Sequence, residues 1–121
     1  MCIRDRYGTV GVSIYAPALC TMTTAAGDLT LNYTAFGPQV SQSTTFAVTC
    51  TNGMPYTVST DVTEGVLTGL RYVLSLSSTS ANGTGAAQSH SITATLPAGQ
   101  AGTCAAGSCA ATRTHTLTIA Y

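Results

Sequence analysis

Of the residues that could support chemistry, the cysteines are the ones whose role can best be inferred from their spacing in the chain. Four cysteines lie in the body of the sequence and a fifth, Cys2, lies near its start. The four lack the paired short spacings of a zinc site, and no Cys-x-x-Cys pair occurs. An even number of cysteines without metal spacing predicts disulfides and an oxidising compartment. The four are Cys20, Cys50, Cys104 and Cys109.

Four cysteines allow three pairings. Cys104 and Cys109 are close enough in sequence to bridge a single loop, which leaves Cys20 to pair with Cys50. In the chain-entropy model each bridge stabilises the fold by roughly 2–4 kcal/mol, and the bridge that closes the longer loop contributes more.

Histidines and carboxylates are the other residues that could support chemistry. Neither His90 nor His115 stands at a metal-ligand spacing from a cysteine, and His115 alternates with apolar residues as in a strand. The carboxylates are few, and no group of them has the spacing that nucleophilic or acid–base catalysis requires. We therefore expect no enzyme activity, cofactor or metal. The carboxylates are Asp5, Asp28, Asp61 and Glu64.

Composition narrows the class of protein. The 121 residues suffice for one domain with its own core, and only four Arg or Lys and four Asp or Glu residues give a net charge of 0. Nucleic acid and anionic membranes bind clustered basic residues, which this chain lacks. Hydrophobic residues make up 45 %, but no apolar run approaches the roughly 20 residues of a membrane span. The abundance of Thr, Ser and Val favours an all-β extracellular structural protein.

Alternating apolar and polar residues predict strands along most of the chain. The central prediction is a hairpin over residues 44–60, turning at Asn52-Gly53, with Cys50 pointing into the core. Residues 61–65 and 77–88 are predicted as loops because they offer little to bury. Further strands are predicted at residues 70–76, 92–96 and 115–121, and residues 19–24 and 29–34 are predicted as the two halves of one interrupted strand.

A separate strand is predicted at residues 9–15. Val10, Val12 and Ile14 share one face, and Pro17, which cannot continue a central strand, follows. Two interpretations remain open: an ordinary first strand that pairs within its own chain, or a strand offered to another molecule.

Residues 1–8 differ from the rest of the chain. They carry three of the charged residues and the unpaired Cys2, which is typical of a spurious leader, although a genuine short tail has the same features. They lack a signal-peptide core, so we expect a secretion signal to be missing from a truncated gene product. The predicted divisions are a leader at 1–8, an extension at 9–17 and a domain at 18–121.

Several motifs, in order, give the chain a family resemblance. Val-Thr-Cys-Thr-Asn-Gly lies at residues 48–53, Pro-Tyr-Thr-Val at 55–58, Gly-Thr-Gly-Ala-Ala-Gln at 83–88 and Leu-Pro-Ala-Gly-Gln at 96–100. Together with Cys20, the Leu-x-Leu at 29–31 and the ending Thr-x-Thr-Leu-Thr-Ile-x-Tyr, they resemble the spore coat protein U-like domain of archaic chaperone–usher pilins. The resemblance covers residues 9–121. The short middle of the chain and the Cys104–Cys109 insertion depart from the family pattern.

The resemblance implies an incomplete immunoglobulin-like β-sandwich that lacks its final strand. The strand count agrees, because about six predicted core strands follow Pro17 and such a sandwich needs seven. In this family the N-terminal strand of a neighbouring subunit fills the gap, and a periplasmic chaperone fills it before assembly at an outer-membrane usher. The donor residues implied are Val10, Val12 and Ile14, and the acceptor groove and chaperone strand are Leu117, Ile119 and Tyr121.

The function that follows from the resemblance is that of a structural subunit of a secreted pilus or coat. The subunit would pass through the periplasm to the cell surface and support adhesion or biofilm formation. Two alternatives remain: a self-contained secreted coat protein, and a carbohydrate-binding adhesin domain whose ligand contacts the loop at residues 77–88.

Overall fold

A computed structural model describes residues 9–121; the predicted leader at 1–8, with Cys2, lies outside the described residues. All regular structure in the described range is β, which confirms the predicted all-β sandwich class. The strands are β1 (Cys20–Thr24), β2 (Val40–Cys50), β3 (Pro55–Thr60), β4 (Glu64–Leu67), β5 (Leu70–Leu76), β6 (Ser80–Asn82), β7 (Ala87–Leu96) and β8 (Leu117–Ala120).

The strands form two antiparallel sheets of unequal width. Sheet A has five strands in the order β1-β2-β7-β5-β4, and sheet B has three in the order β6-β3-β8. The longest ladder joins β2 to β7 over ten consecutive pairs, from Val40 opposite Leu96 to Thr49 opposite Ala87. Sheet B therefore has strands to cover only part of sheet A.

The core lies where the two sheets face each other. Phe46 and Val48 of β2 are buried by the two-residue period of the strand, while Thr45, Ala47 and Thr49 alternate with them on its other face. Tyr56 and Val58 of β3 supply the opposite face. Burying one side chain of this size stabilises the fold by about 1.5–3 kcal/mol, so this cluster holds the sheets together.

Both predicted disulfides are present. Cys20 of β1 stands directly opposite Cys50 of β2, with 4.1 Å between their Cα atoms, and both are buried. The bridge therefore joins neighbouring strands of sheet A across a sequence separation of 30, for which the chain-entropy model gives about 3–4 kcal/mol. The second bridge, Cys104–Cys109, closes a short exposed loop.

The predicted hairpin over residues 44–60 is wrong. Its two strands form, as β2 and β3, but they belong to different sheets. The turn itself is present, since the Met54 N–H donates to the Thr51 carbonyl at 2.9 Å and Gly53 adopts a positive φ. The Thr51 N–H still donates to the carbonyl of Leu19, which precedes β1 in sheet A. The turn that follows then leads the chain from sheet A to sheet B.

Other differences from the predicted strands occur at the periphery. Residues 9–15 and 29–34 form no strand, although the latter keep the predicted alternation of half-buried and exposed side chains. The loop predicted at 77–88 contains β6 and the start of β7, and β4 begins inside the loop predicted at 61–65. The last strand is limited to β8. The alternation marks the side that faces the core, but a strand also needs a neighbour with which to pair.

The Gly83 backbone is a close-packed point of the fold. Its N–H donates to Met54 and its carbonyl accepts from Gly53, and a Cβ added here would lie 2.7 Å from the Cβ of Cys50. Replacing Gly83 by alanine therefore requires the backbone around the disulfide to move.

We predict that Gly83→Ala lowers the free energy of unfolding by about 1–3 kcal/mol, as overpacking in a core does. Urea denaturation under non-reducing conditions measures this. Gly107→Ala is the matched control, because a Cβ there meets nothing within 4 Å. Equal stabilities for the two variants would contradict the packing described around Gly83.

Candidate functional site

A long open groove lies on the half of sheet A that sheet B leaves uncovered. Its volume is about 1190 Å³, beyond the ~300–1,000 Å³ of ordinary small-molecule pockets. The floor is the inner face of β5 and β7 and is almost entirely apolar. The floor residues are Tyr72, Leu74, Ile92, Ala94 and Leu96.

The hydrophobic core consists of two separate clusters, and this division explains the groove. One buried cluster combines β2 and β7 of sheet A with β3 of sheet B. The second cluster consists of Tyr72, Leu74, Ala94 and Leu96, all from sheet A, and no residue of sheet B packs against it. Instead Leu29, Leu31 and Tyr33 cover it partly, from a segment without regular structure. Half of the core thus lacks the strand layer that covers the other half.

The two walls of the groove are segments almost without regular structure, and they do not pair with each other. One wall is residues 26–35, and the other is residues 110–117, which lead into β8. Among the described residues, the backbone groups of 29–33 form no hydrogen bond to one another or to the opposite wall. Backbone groups of this kind need partners, and so does the unpaired edge of β8.

Gln100 fixes the first wall. Its side-chain amide accepts from the Arg71 N–H at 2.7 Å and donates to the Arg71 carbonyl at 2.8 Å, as a neighbouring strand would. Its own N–H donates to the Tyr33 hydroxyl at 2.8 Å, and its carbonyl accepts from the Phe36 N–H. Tyr33 and the end of this wall are therefore tied to the start of β5.

A polar chain through His115 fixes the second wall. Its Nδ1 lies 3.0 Å from an Asp61 oxygen and its Nε2 lies 2.5 Å from the Tyr72 hydroxyl. With Nδ1–H donated to the carboxylate, Nε2 of the neutral ring accepts the Tyr72 hydroxyl proton. The chain joins β5 of sheet A to residues beside β3 and β8 of sheet B, so it sets the spacing between the floor and this wall.

The environment of Asp61 favours its ionised form. Desolvation opposes ionisation, but it is outweighed by hydrogen bonds from His115 and from the backbone of Val62 and Thr116, and by the charge of His115 in its protonated form. The pKa of this carboxyl is consequently below its ordinary value of 3.8.

The other histidine belongs to the core. His90 is 7 % exposed, stacks on Phe46, and places its Nε2 2.7 Å from the Tyr56 hydroxyl, which donates to the Gln88 oxygen at 2.9 Å. Burial raises the pKa of Tyr56. Because Tyr56 is in sheet B and His90 in sheet A, this chain is a polar link between the layers.

The predicted donor residues lie far from any packed environment. Val10, Val12 and Ile14 are 75–86 % exposed. Residues 9–18 form no hydrogen bond to the rest of the described chain, which first pairs at Leu19. Of the predicted acceptor residues, Leu117 and Ile119 are half-buried against the core, whereas Tyr121 is 56 % exposed beyond the end of β8.

Sequence reasoning missed most of the groove's walls. It assigned Leu117 to the groove, but it did not assign residues 29–34, Gln100, Asp61 or Tyr72 to the site. The fixed contacts of Gln100 and His115 depend on residues far apart in sequence, and only the Leu-Pro-Ala-Gly-Gln motif marked one of them.

The described residues contain no group of three or more His, Cys, Asp or Glu placed to hold a metal, and no helix long and apolar enough to cross a membrane. Comparisons of the chain with protein-family models, curated proteins and solved structures find no match.

We predict that Asp61 makes the free energy of unfolding depend on pH in the acidic range. Because its folded pKa is depressed, its contribution is complete above the unfolded pKa and is lost as pH falls through the folded pKa. The difference in unfolding free energy between the unmodified chain and Asp61→Asn should be largest near about pH 6 and shrink below about pH 3. A difference that is constant with pH would contradict the role of Asp61, and Asp28→Asn, at an exposed carboxylate, is the control.

Proposed function

We propose that this chain is a structural subunit of an extracellular fibre or coat, assembled by exchange of an extended strand between neighbouring copies. The observation that carries the proposal is the groove, whose apolar floor and unpaired walls together have the shape of a missing strand. An inserted strand would gain backbone hydrogen bonds from the walls and bury alternate side chains on the floor.

The N-terminal segment has the properties of the strand that would fill it. Residues 9–15 alternate apolar and small side chains, and Val10, Val12 and Ile14 present β-branched side chains suited to an apolar floor. These three residues are 75–86 % exposed, so burying them in a neighbour's groove is favourable by up to roughly 1.5–3 kcal/mol each before the cost of ordering the segment.

Assembly between copies is favoured over insertion into the same chain. Only residues 16–19 connect the segment to β1, and Pro17 lies within that connection. The segment therefore has little freedom to turn back across the sandwich and enter its own groove, which supports exchange between subunits.

The wider setting follows from the resemblance to the spore coat protein U-like pilins. Before assembly a periplasmic chaperone would cover the groove, and an outer-membrane usher would direct the exchange on the way to the cell surface. The two disulfides support passage through an oxidising compartment. The assembled fibre would serve in adhesion or biofilm formation.

We predict that a chain beginning at Ala18 is unstable or aggregated alone and is rescued by a synthetic peptide of residues 9–15. Occupation of the groove at a hundred times the dissociation constant would add about 2.7 kcal/mol to the unfolding free energy. Thermal unfolding and sedimentation with and without peptide measure this.

Two peptide variants test the register. Val12→Asp should abolish the rescue because it places a charge on the apolar floor, whereas Ser13→Asp should retain it because that side chain faces outward. If the shortened chain is a stable monomer that ignores every peptide, strand exchange is wrong and a self-contained coat protein takes its place.

A further inference from the structure

Phe36 is the residue whose conformation the fold does not explain. It has a φ of 62°, in the left-handed region that bulky side chains rarely adopt, and its side chain is 75 % exposed. The other described non-glycine residue with a positive φ, Thr68, is half-buried in the tight turn between β4 and β5. Phe36 is therefore both strained and unburied.

The turn at Phe36 needs only its backbone. The Phe36 N–H donates to the Gln100 carbonyl at 2.8 Å, and the next N–H, of Gly37, donates to the Thr34 carbonyl at 2.8 Å. Glycine or asparagine would form the same bonds with less strain. The aromatic ring is exposed and belongs to neither core cluster, so its burial within the fold does not offset the strain, and contact with another molecule would.

The position of Phe36 indicates which molecule its ring contacts. It directly follows residues 26–35, the first wall of the groove, and so stands at the end of the groove where Gln100 and Leu96 lie. The opposite end is marked by Gly27, whose N–H donates to Thr44, and by Leu117, which packs on the cluster that contains both sheets.

The direction of an inserted strand follows from the second wall. His115 contacts Tyr72, near the Phe36 end, and the chain then runs to Leu117 at the far end. Every pairing in both sheets is antiparallel, which is also the slightly more stable arrangement. A strand that pairs antiparallel to the free edge of β8 therefore has its carboxyl end beside Phe36, and it leaves the groove there.

We propose that Phe36 is a docking residue for residues 15–19 of the copy that supplies the strand. These residues, Tyr-Ala-Pro-Ala-Leu, are uncharged and exposed, with Tyr15 91 % and Leu19 55 % accessible. They suit an aromatic contact, since tyrosine and proline rings pack well on phenylalanine. Residues 16–19 reach at most about 14 Å, so the body of the donor subunit is held close to Phe36. This inference rests on the proposed function.

The test compares two labelled peptides, residues 9–15 and residues 9–19, for binding to the full chain and to Phe36→Gly. We expect Phe36→Gly to bind the longer peptide about three- to tenfold more weakly than the unmodified chain does, as the loss of one aromatic contact implies. Binding of the shorter peptide should change by less than that, and the thermal midpoint of Phe36→Gly should equal or exceed that of the unmodified chain because the strain is relieved.

Phe36→Asn, which also tolerates a positive φ, checks that the effect comes from loss of the ring. Equal binding of the longer peptide by all three proteins would overturn the docking role and leave strand exchange intact. An equal weakening for both peptides would also overturn it, since Phe36 would then act through the shape of the groove. If the unmodified chain is a monomer in solution and binds neither peptide, the proposed function itself fails.

Discussion

The unequal width of the two sheets is the constraint on which the rest of this structure depends. Sheet A presents five strands and sheet B only three, so part of an apolar inner face has no layer above it. The ten-pair ladder between β2 and β7 runs through both the covered and the uncovered regions and joins them in one continuous sheet. The most exposed apolar segment of the described chain, residues 10–15, is long enough to form a strand.

Polar contacts keep the groove open while it is empty. Gln100 ties the wall that contains Tyr33 to β5, and the chain from Tyr72 through His115 to Asp61 ties the other wall to both sheets. These contacts hold the walls at fixed positions on the floor, so they oppose collapse of Leu29 and Leu31 toward Leu117. Under the proposed function, walls that are already fixed would lower the ordering cost of binding a strand.

Local sequence patterns predicted the features that depend on neighbours in the chain. The alternation in residues 70–76 and 92–96 identified the two floor strands, and the cysteine spacing identified both disulfides. The predicted hairpin failed because a turn signal such as Asn52-Gly53 does not say whether the chain stays in one sheet. Residues 29–34 keep the alternating burial that the sequence pattern predicted, but they form no strand because no neighbouring segment of the described chain pairs with them. The contacts of Gln100 and His115 join distant segments, which local patterns do not report.

Amide hydrogen exchange is the most direct test of the central claim that the groove accepts a strand. The rates at residues 29–33 and 112–116 would be compared in the presence and absence of a saturating peptide of residues 9–15. If the peptide inserts between the walls, we expect alternate amides in both walls to become slow to exchange, because each gains a backbone hydrogen-bond partner. Unchanged exchange in both walls, with the peptide bound, would show that it binds elsewhere and would contradict the account.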